Sequence, residues 1–305
     1  MFTRCKRQEK IILALFVDDG LVAATSDKKA KQFIDELKSE FKITVKKASY
    51  FLGFEIDQGR DGSIKISQAS YSRKLIAQFG MSECRSSSTP AISESGKVVL
   101  VNKDAENKID SDEPFSYRSA VGVLMYLSVI LRPDVSYALS VASRTLEKPS
   151  TEDFVRVKRI FRYLQGTIDR GLVYKPDYME GVIECYNDAD HGGDQSTARS
   201  TTGVVCLHAG GAISWLSQRQ SSVAISTTEA EIVAASERAC ETVWLKRLLS
   251  EMISLKKKPE LLVDNESAVK LAQNPEFHKR TKHIRIRHFY VRELMAEGQI
   301  NVERV

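Results

Sequence analysis

Two aspartates, Asp18 and Asp19, sit side by side in "IILALFVDDGLVAAT", between two apolar runs. Residues 11–17 and 21–25 are β-prone, and Asp-Gly between such runs is a hairpin turn signal. As plain turn residues the two acids are solvated. As a functional pair at the tip of a rigid hairpin they bind a divalent cation, because Mg²⁺ prefers one or two carboxylates completed by substrate phosphates. The doublet alone leaves both readings open.

Three further acids stand at element ends. Asp188 ends the strand-like run "VIECYND", Glu231 lies early in a long helical stretch within "STTEAEIVAAS", and Asp264 ends "LLVDN". Acids at the ends of adjacent strands point to one edge of a sheet, and a helix packed across that sheet can add a third. Three like charges gathered this way repel unless cations neutralise them. The natural use is a two-metal site, its ions roughly 3.5–4 Å apart, clamping the attacking and leaving oxygens of a phosphodiester. Singly, each acid has a plainer reading. Asp264-Asn265 can cap the next helix, Glu231 can complement a helix dipole, and Asp188 and Asp190 can be loop acids in "DADHGGD". The order strand-Asp, helix-Glu, strand-Asp favours the joint reading. Asp188 is preferred to Asp190 because it comes directly out of the strand.

The elements that must position these acids follow from patterning. After the first hairpin, Phe33, Ile34, Leu37 and Phe41 recur at helical spacing behind Ser26 or Asp27. A second hairpin turns at Asp61-Gly62, and a short helix ends at Gly80. The Ser-rich, charged stretch from 85 to 113 reads as a linker. Three helices are expected next, the first stopping before Pro133 and the second before Pro149. The third carries Phe154, Val157, Phe161 and Leu164 on one face, with Arg156, Lys158, Arg159 and Arg162 around them. That basic face is solvated or rides along a phosphate backbone. From Gly171 onward the pattern is β-β-β, α, β, α, α, β, a mixed sheet with packed helices.

The 305 residues suit about two domains. With 28% charged and 42% hydrophobic residues, the composition is that of a soluble globular protein, and the net charge of +5 is compatible with nucleic acid. Five scattered cysteines, with no C-x-x-C pair, argue against a zinc site or a disulfide framework and for a reducing compartment. No apolar run approaches a membrane span, and no targeting pattern is present.

Several stretches together resemble the Pol polyprotein of copia-type LTR retrotransposons: "FVDDGLVAAT", "YFLGFEI", "YRSAVGVLMYLSVILRPDVSYALSVASR", "RIFRYLQGTIDRGLVY", "NDADHGGDQSTARSTTGVVCLHAGGAISWLSQRQ", "STTEAEIVAAS" and "VDNESAVKLAQNPEFHKRTKHIRIRHFYVRE". They follow the family's order over nearly the whole chain. The resemblance implies an α+β / α/β chain in four parts. These are the C-terminal part of a reverse-transcriptase palm with a thumb-like region (1–84), a linker (85–113), a helical connection region (114–170) and an RNase H-like mixed sheet with flanking helices (171–305). It matches Asp18 and Asp19 to the paired aspartates of the polymerase palm. It matches Asp188, Glu231 and Asp264 to the first three carboxylates of the RNase H site, which cleaves RNA in RNA–DNA hybrids with Mg²⁺ or Mn²⁺. The basic run "FHKRTKHIRIRH", with Lys279, Arg280, Lys282, Arg285 and Arg287, is expected to contact phosphates. The implied partners are RNA–DNA hybrid, single-stranded or duplex nucleic acid and the remainder of Pol, in a cytoplasmic virus-like particle, with no membrane.

The chain departs from the family at His191, where Trp is usual, and at Arg285, where an acid is common. The family's third palm aspartate comes before the stretch aligned here, and its fourth RNase H carboxylate follows the last strand. No polymerase activity is therefore expected from this chain alone, and the RNase H-like domain is expected to be truncated, with cleavage strongly reduced or absent and partly rescued by Mn²⁺. The competing expectations are a catalytically inactive nucleic-acid-binding remnant and a relic that does not fold stably.

Overall fold

The computed structural model describes residues 1–6, 9–91, 115–176, 178, 181–273 and 285–305, with the backbone alone at 5–6 and 285–288. The N-terminal runs form an antiparallel sheet of β1 (Phe2–Lys6), β2 (Glu9–Phe16) and β3 (Asp19–Ala24). Helix α1 (Asp27–Glu40) packs on β2 and β3. Ser26 is its cap, the hydroxyl accepting from the Lys29 N–H.

The second hairpin contains one strand more than the pattern predicts. β4 (Tyr50–Phe51) and β5 (Phe54–Gln58) turn tightly through Leu52 and Gly53, both at positive φ. β5 then pairs with β6 (Ile64–Ser67) through the expected turn, where Gly62 has φ +80°. Helix α2 (Ala69–Gln78) follows and ends before Gly80 at φ +67°.

Residues 92–114, most of the expected linker, lie outside the described residues. Beyond them come α3 (Tyr117–Ile130), α4 (Ser136–Ala142) flanked by two 3-10 turns, and α5 (Thr151–Gly166). α5 starts with a capping box between Ser150 and Asp153. Leu75 and Ile76 of α2 are buried with Leu124, Leu127, Leu139 and Phe161 in one core. Each such side chain contributes about 1.5–3 kcal/mol when removed from water.

The basic face of α5 is mostly engaged within the chain. Arg156 pairs with Asp153, Arg159 donates to Thr89, Arg162 donates to the Arg85 carbonyl, and Lys158 lies over the Phe115 ring. It is neither a fully solvated face nor a free phosphate track.

One expected strand changes sheet. β7 (Gly171–Tyr174) pairs with β6, completing a four-stranded sheet β4-β5-β6-β7, and does not join the C-terminal sheet. The C-terminal sheet has the order β10-β9-β8-β11-β12, from β8 (Glu184–Ala189), β9 (Thr201–His208), β10 (Gly211–Arg219), β11 (Glu260–Val263) and β12 (Asn301–Arg304). β8, β9 and β10 are antiparallel, whereas β11 runs parallel to both β8 and β12. This is the RNase H-like mixed sheet implied by the sequence resemblance.

Helix α6 (Thr227–Met252) crosses this sheet and packs with α7 (Glu266–Gln273) and α8 (Arg285–Ala296). Their core includes Ile183, Leu261, Ile232, Ala239, Val291 and Ile300. Cys185 and Cys206 face each other in the β8–β9 ladder and are joined by a disulfide, both fully buried. This overturns the expectation of none. Strand register, not sequence spacing, brings the two together, so the cysteines no longer argue for a reducing compartment. No helix among the described residues is long and apolar enough to cross a membrane.

Candidate metal centre

The parallel pairing of β8 and β11 sets the centre. Its register places Val263 beside Asn187, so the next residues, Asp264 and Asp188, emerge side by side from the same sheet edge. Across β8 on the other side, Asp188 faces Gly203, which has no side chain to crowd it. Helix α6 is capped by Ser226, whose hydroxyl accepts from the Glu229 N–H, while the Glu229 carboxylate accepts from the Ile225 N–H. That rigid start delivers Glu231 in the second turn onto the end of β8.

One ligand atom from each of Asp188, Glu231 and Asp264 lies within 4.8 Å of the other two. Asp188 and Asp264 are exposed and Glu231 is 3% exposed. The Ala189 N–H donates to Glu231 Oε1 at 3.2 Å, while the buried Oε2 has no hydrogen-bond partner. Burial pushes the Glu231 carboxyl up to about 8, and the charges of Asp188 and Asp264 push the same way against the Ala189 hydrogen bond. An orphaned carboxylate oxygen beside two exposed ones is a donor set suited to a hard divalent cation.

The plainer readings of the three acids do not describe this geometry. Asn265 caps α7, its side chain accepting from the Ala268 N–H, so Asp264 is not the cap. Asp190 has a separate task. Its Oδ1 accepts the backbone N–H groups of Thr201 and Gly193, which ties the β8–β9 loop. His191 turns to the Ala224 carbonyl, in the segment leading into α6. Asp188 and Asp264 line an open cleft of ≈ 550 Å³, shared with Tyr186, Trp215 and, from the helical region, Tyr137.

Sequence reasoning missed a buried ion cluster beside this centre. The Asp194 side chain is fully buried, paired with Arg219 and, at 3.7 Å, with Arg144. Its carboxyl is held well below the usual range, burial being outweighed by hydrogen bonds from Arg219 and Ser196. The only signal was the acid-rich loop itself, since the arginines come from distant stretches.

Asp18 and Asp19 stand elsewhere, exposed on the β2–β3 hairpin. The turn is two residues earlier than Asp-Gly predicts. Val17 and Asp18 form it, whereas Asp19 and Gly20 already pair with Phe16 and Leu15. Val17 has φ 52°, a strained value for a β-branched residue and of a kind that clusters at functional sites. Among the described residues the doublet gathers no third acid, histidine or cysteine. Of the basic run, Lys279, Arg280 and Lys282 lie outside the described residues, and Arg285 and Arg287 have only their backbone described, at the start of α8.

Residues 1–93 match the family model of reverse transcriptase (RNA-dependent DNA polymerase). The chain is 35% identical, over its whole length and 23% of the relative's, to a retrovirus-related Pol polyprotein from transposon TNT 1-94 of Nicotiana tabacum. It is 30% identical to a transposon Ty5-1 protein of Saccharomyces cerevisiae, over 79% of this chain and 77% of that one. Among solved structures, a foamy viral protease-reverse transcriptase in complex with double-stranded DNA superposes with TM-score 0.55, at 13% identity, over 96% of this chain and 46% of that one. That likeness is one of fold. The chain thus spans about a quarter of the Pol polyprotein it matches.

Proposed function

Because this chain belongs to the Pol family of copia-type LTR retrotransposons, we propose that its C-terminal sheet cleaves the RNA strand of RNA–DNA hybrids. The observation that carries this reading is the convergence of Asp188, Glu231 and Asp264 within 4.8 Å, with a buried Glu231 oxygen left without a partner. These three side chains would hold Mg²⁺ or Mn²⁺. Such ions, when bound, supply Lewis-acid stabilisation and a nucleophilic water at a phosphodiester.

The chain's own residues prepare that chemistry. The Ala189 N–H fixes one Glu231 oxygen and leaves the other as a ligand. The exposed Asp188 and Asp264 carboxylates keep the outer side of the centre open to a nucleic-acid backbone. Substrate choice would rest on hybrid shape and the ribose 2′-OH. The basic run 279–287 would add phosphate contacts that weaken with salt.

The N-terminal sheet is read as part of an RNA-directed DNA polymerase domain, with Asp18 and Asp19 as its metal-binding pair. The family match over 1–93 and the strained Val17 at the hairpin tip support this. The remainder of Pol is its natural partner.

The test is cleavage of a labelled RNA–DNA duplex by the purified chain, in Mg²⁺ or Mn²⁺, beside Glu231→Gln. Cleavage that disappears in the variant is the expected result. Hybrid that is bound but never cut refutes the nuclease reading and leaves a non-catalytic nucleic-acid binder.

A further inference from the structure

We propose that Arg144, contributed by the helical region, is a positioning residue for the acidic centre. This inference rests on the metal-dependent reading of that centre.

The helical region is docked onto the C-terminal sheet. α4 packs on β10, the Trp215 indole N–H donates to the Ser128 carbonyl at 2.8 Å, and the Ser140 and Ser217 hydroxyls meet at 3.1 Å. Arg144 goes further than these contacts. Its guanidinium donates to Thr201 Oγ1 at 3.1 Å and lies 3.7 Å from the buried Asp194 carboxylate. Its own side chain is 9% exposed.

From Thr201 a line of hydrogen bonds runs to the centre. The Thr201 N–H donates to Asp190 Oδ1 at 2.7 Å, and the Asp190 N–H donates to the Thr201 carbonyl at 3.2 Å. Asp190 follows Ala189, whose N–H holds Glu231 Oε1, and Ala189 follows Asp188. Two of the three acids therefore depend on backbone that Thr201 clamps from outside, and Arg144 holds Thr201. A buried guanidinium with two fixed partners has one favoured pose, which makes it a stay and not a flexible contact. Asp194 keeps Arg219 and Ser196 when Arg144 is changed, so its charge is not abandoned. The fold can therefore survive the substitution.

The experiment compares the full chain with Arg144→Gln, Arg144→Lys and Ser140→Ala. Mn²⁺ binding is read by the loss of the free-ion electron paramagnetic resonance signal, and hybrid cleavage by separate kcat and KM. Arg144→Gln is expected to weaken Mn²⁺ binding about tenfold and to lower kcat by a similar factor, with KM within about twofold. Arg144→Lys, which keeps the charge but not the fork, should recover part of both. Ser140→Ala loosens the same docking without touching Thr201 and should leave both unchanged.

Equal Mn²⁺ binding in wild type and in folded Arg144→Gln overturns the proposal. So does a rise in KM alone, which would mean direct substrate contact, and so does an equal loss in Ser140→Ala, which would mean general docking. A wild-type chain that binds no Mn²⁺ defeats the metal-dependent reading itself, and this inference with it.

Discussion

Replacing Glu231 by Gln should change the pH dependence of stability in a direction opposite to that of most carboxylates. In the metal-free protein the Glu231 carboxyl sits at about 8, against an ordinary 4.5, because it is buried beside two other acids. Between those values the unfolded chain has released the proton and the folded chain keeps it. The folded state therefore loses stability as pH rises from about 4.5, and the loss is complete once pH passes about 8. One pH unit corresponds to 1.36 kcal/mol, so the step from pH 5.5 to 8.5 costs at most about 3 kcal/mol.

Glu231→Gln removes this titration while keeping the volume. Relative to wild type, the variant should gain stability progressively across that range. Urea unfolding in chelator measures it, and the only two tryptophans, Trp215 and Trp244, both report on the C-terminal sheet and its long helix. Adding millimolar Mn²⁺ at pH 8 should reverse the order. Wild type gains RT ln(1 + [L]/Kd), about 2.7 kcal/mol at a hundredfold excess over Kd, and the variant gains little. Parallel pH profiles for the two proteins in chelator would refute the assignment of a protonated, buried carboxyl.

The two aspartates of "DADHGG" should differ in degree. Asp188→Asn is expected to abolish Mn²⁺ binding and to lower cleavage at least 100-fold. Asp190→Ala should cost about 1–2 kcal/mol of stability by urea titration, because its Oδ1 accepts from two backbone N–H groups, and should weaken Mn²⁺ binding without abolishing it, because the Thr201 clamp is loosened. Arg132 is 3% exposed and forks onto Asp134 while reaching Thr167. Arg132→Ala should therefore destabilise the helical region by roughly 3–5 kcal/mol, read as a lowered midpoint by circular dichroism. Thiol titration of the unreduced, denatured chain should count three groups, the five cysteines less the Cys185–Cys206 pair. Cys206→Ala should cost about 2–4 kcal/mol in urea.

The three acids of the centre were legible because strand ends and helix starts leave local marks. An apolar run stops at Asp188 and Asp264, and the Ser226 start sets Glu231 in phase on α6. Their meeting was expected from the order strand-Asp, helix-Glu, strand-Asp, but the register that delivers it was not legible. It depends on β8 and β11 running parallel across 70-odd residues, which no local pattern encodes. The same holds for Cys185 with Cys206, and for Arg144 with Asp194, partners chosen by register and docking. The hairpin at Asp18 shows a local rule losing. Asp-Gly favours a turn, but pairing of β2 with β3 up to Phe16 and Asp19 forces Val17 into the bend. For the basic face of α5, helical periodicity located the charges correctly and said nothing of Asp153, Thr89 and Phe115 waiting for them.

The return of β7 to β6 has a consequence for how the protein is made. Ser67 pairs with Gly171, so about 100 residues must leave the ribosome before the second sheet can close. Until then β6 offers an open edge, the kind of template on which nascent chains cross-pair. The helices built between them are local and can form first. A chain interrupted anywhere in that interval would carry the helices and the unfinished sheet together. Synthesis that pauses before residue 171 should thus favour aggregation, and synthesis that runs past 174 should relieve it.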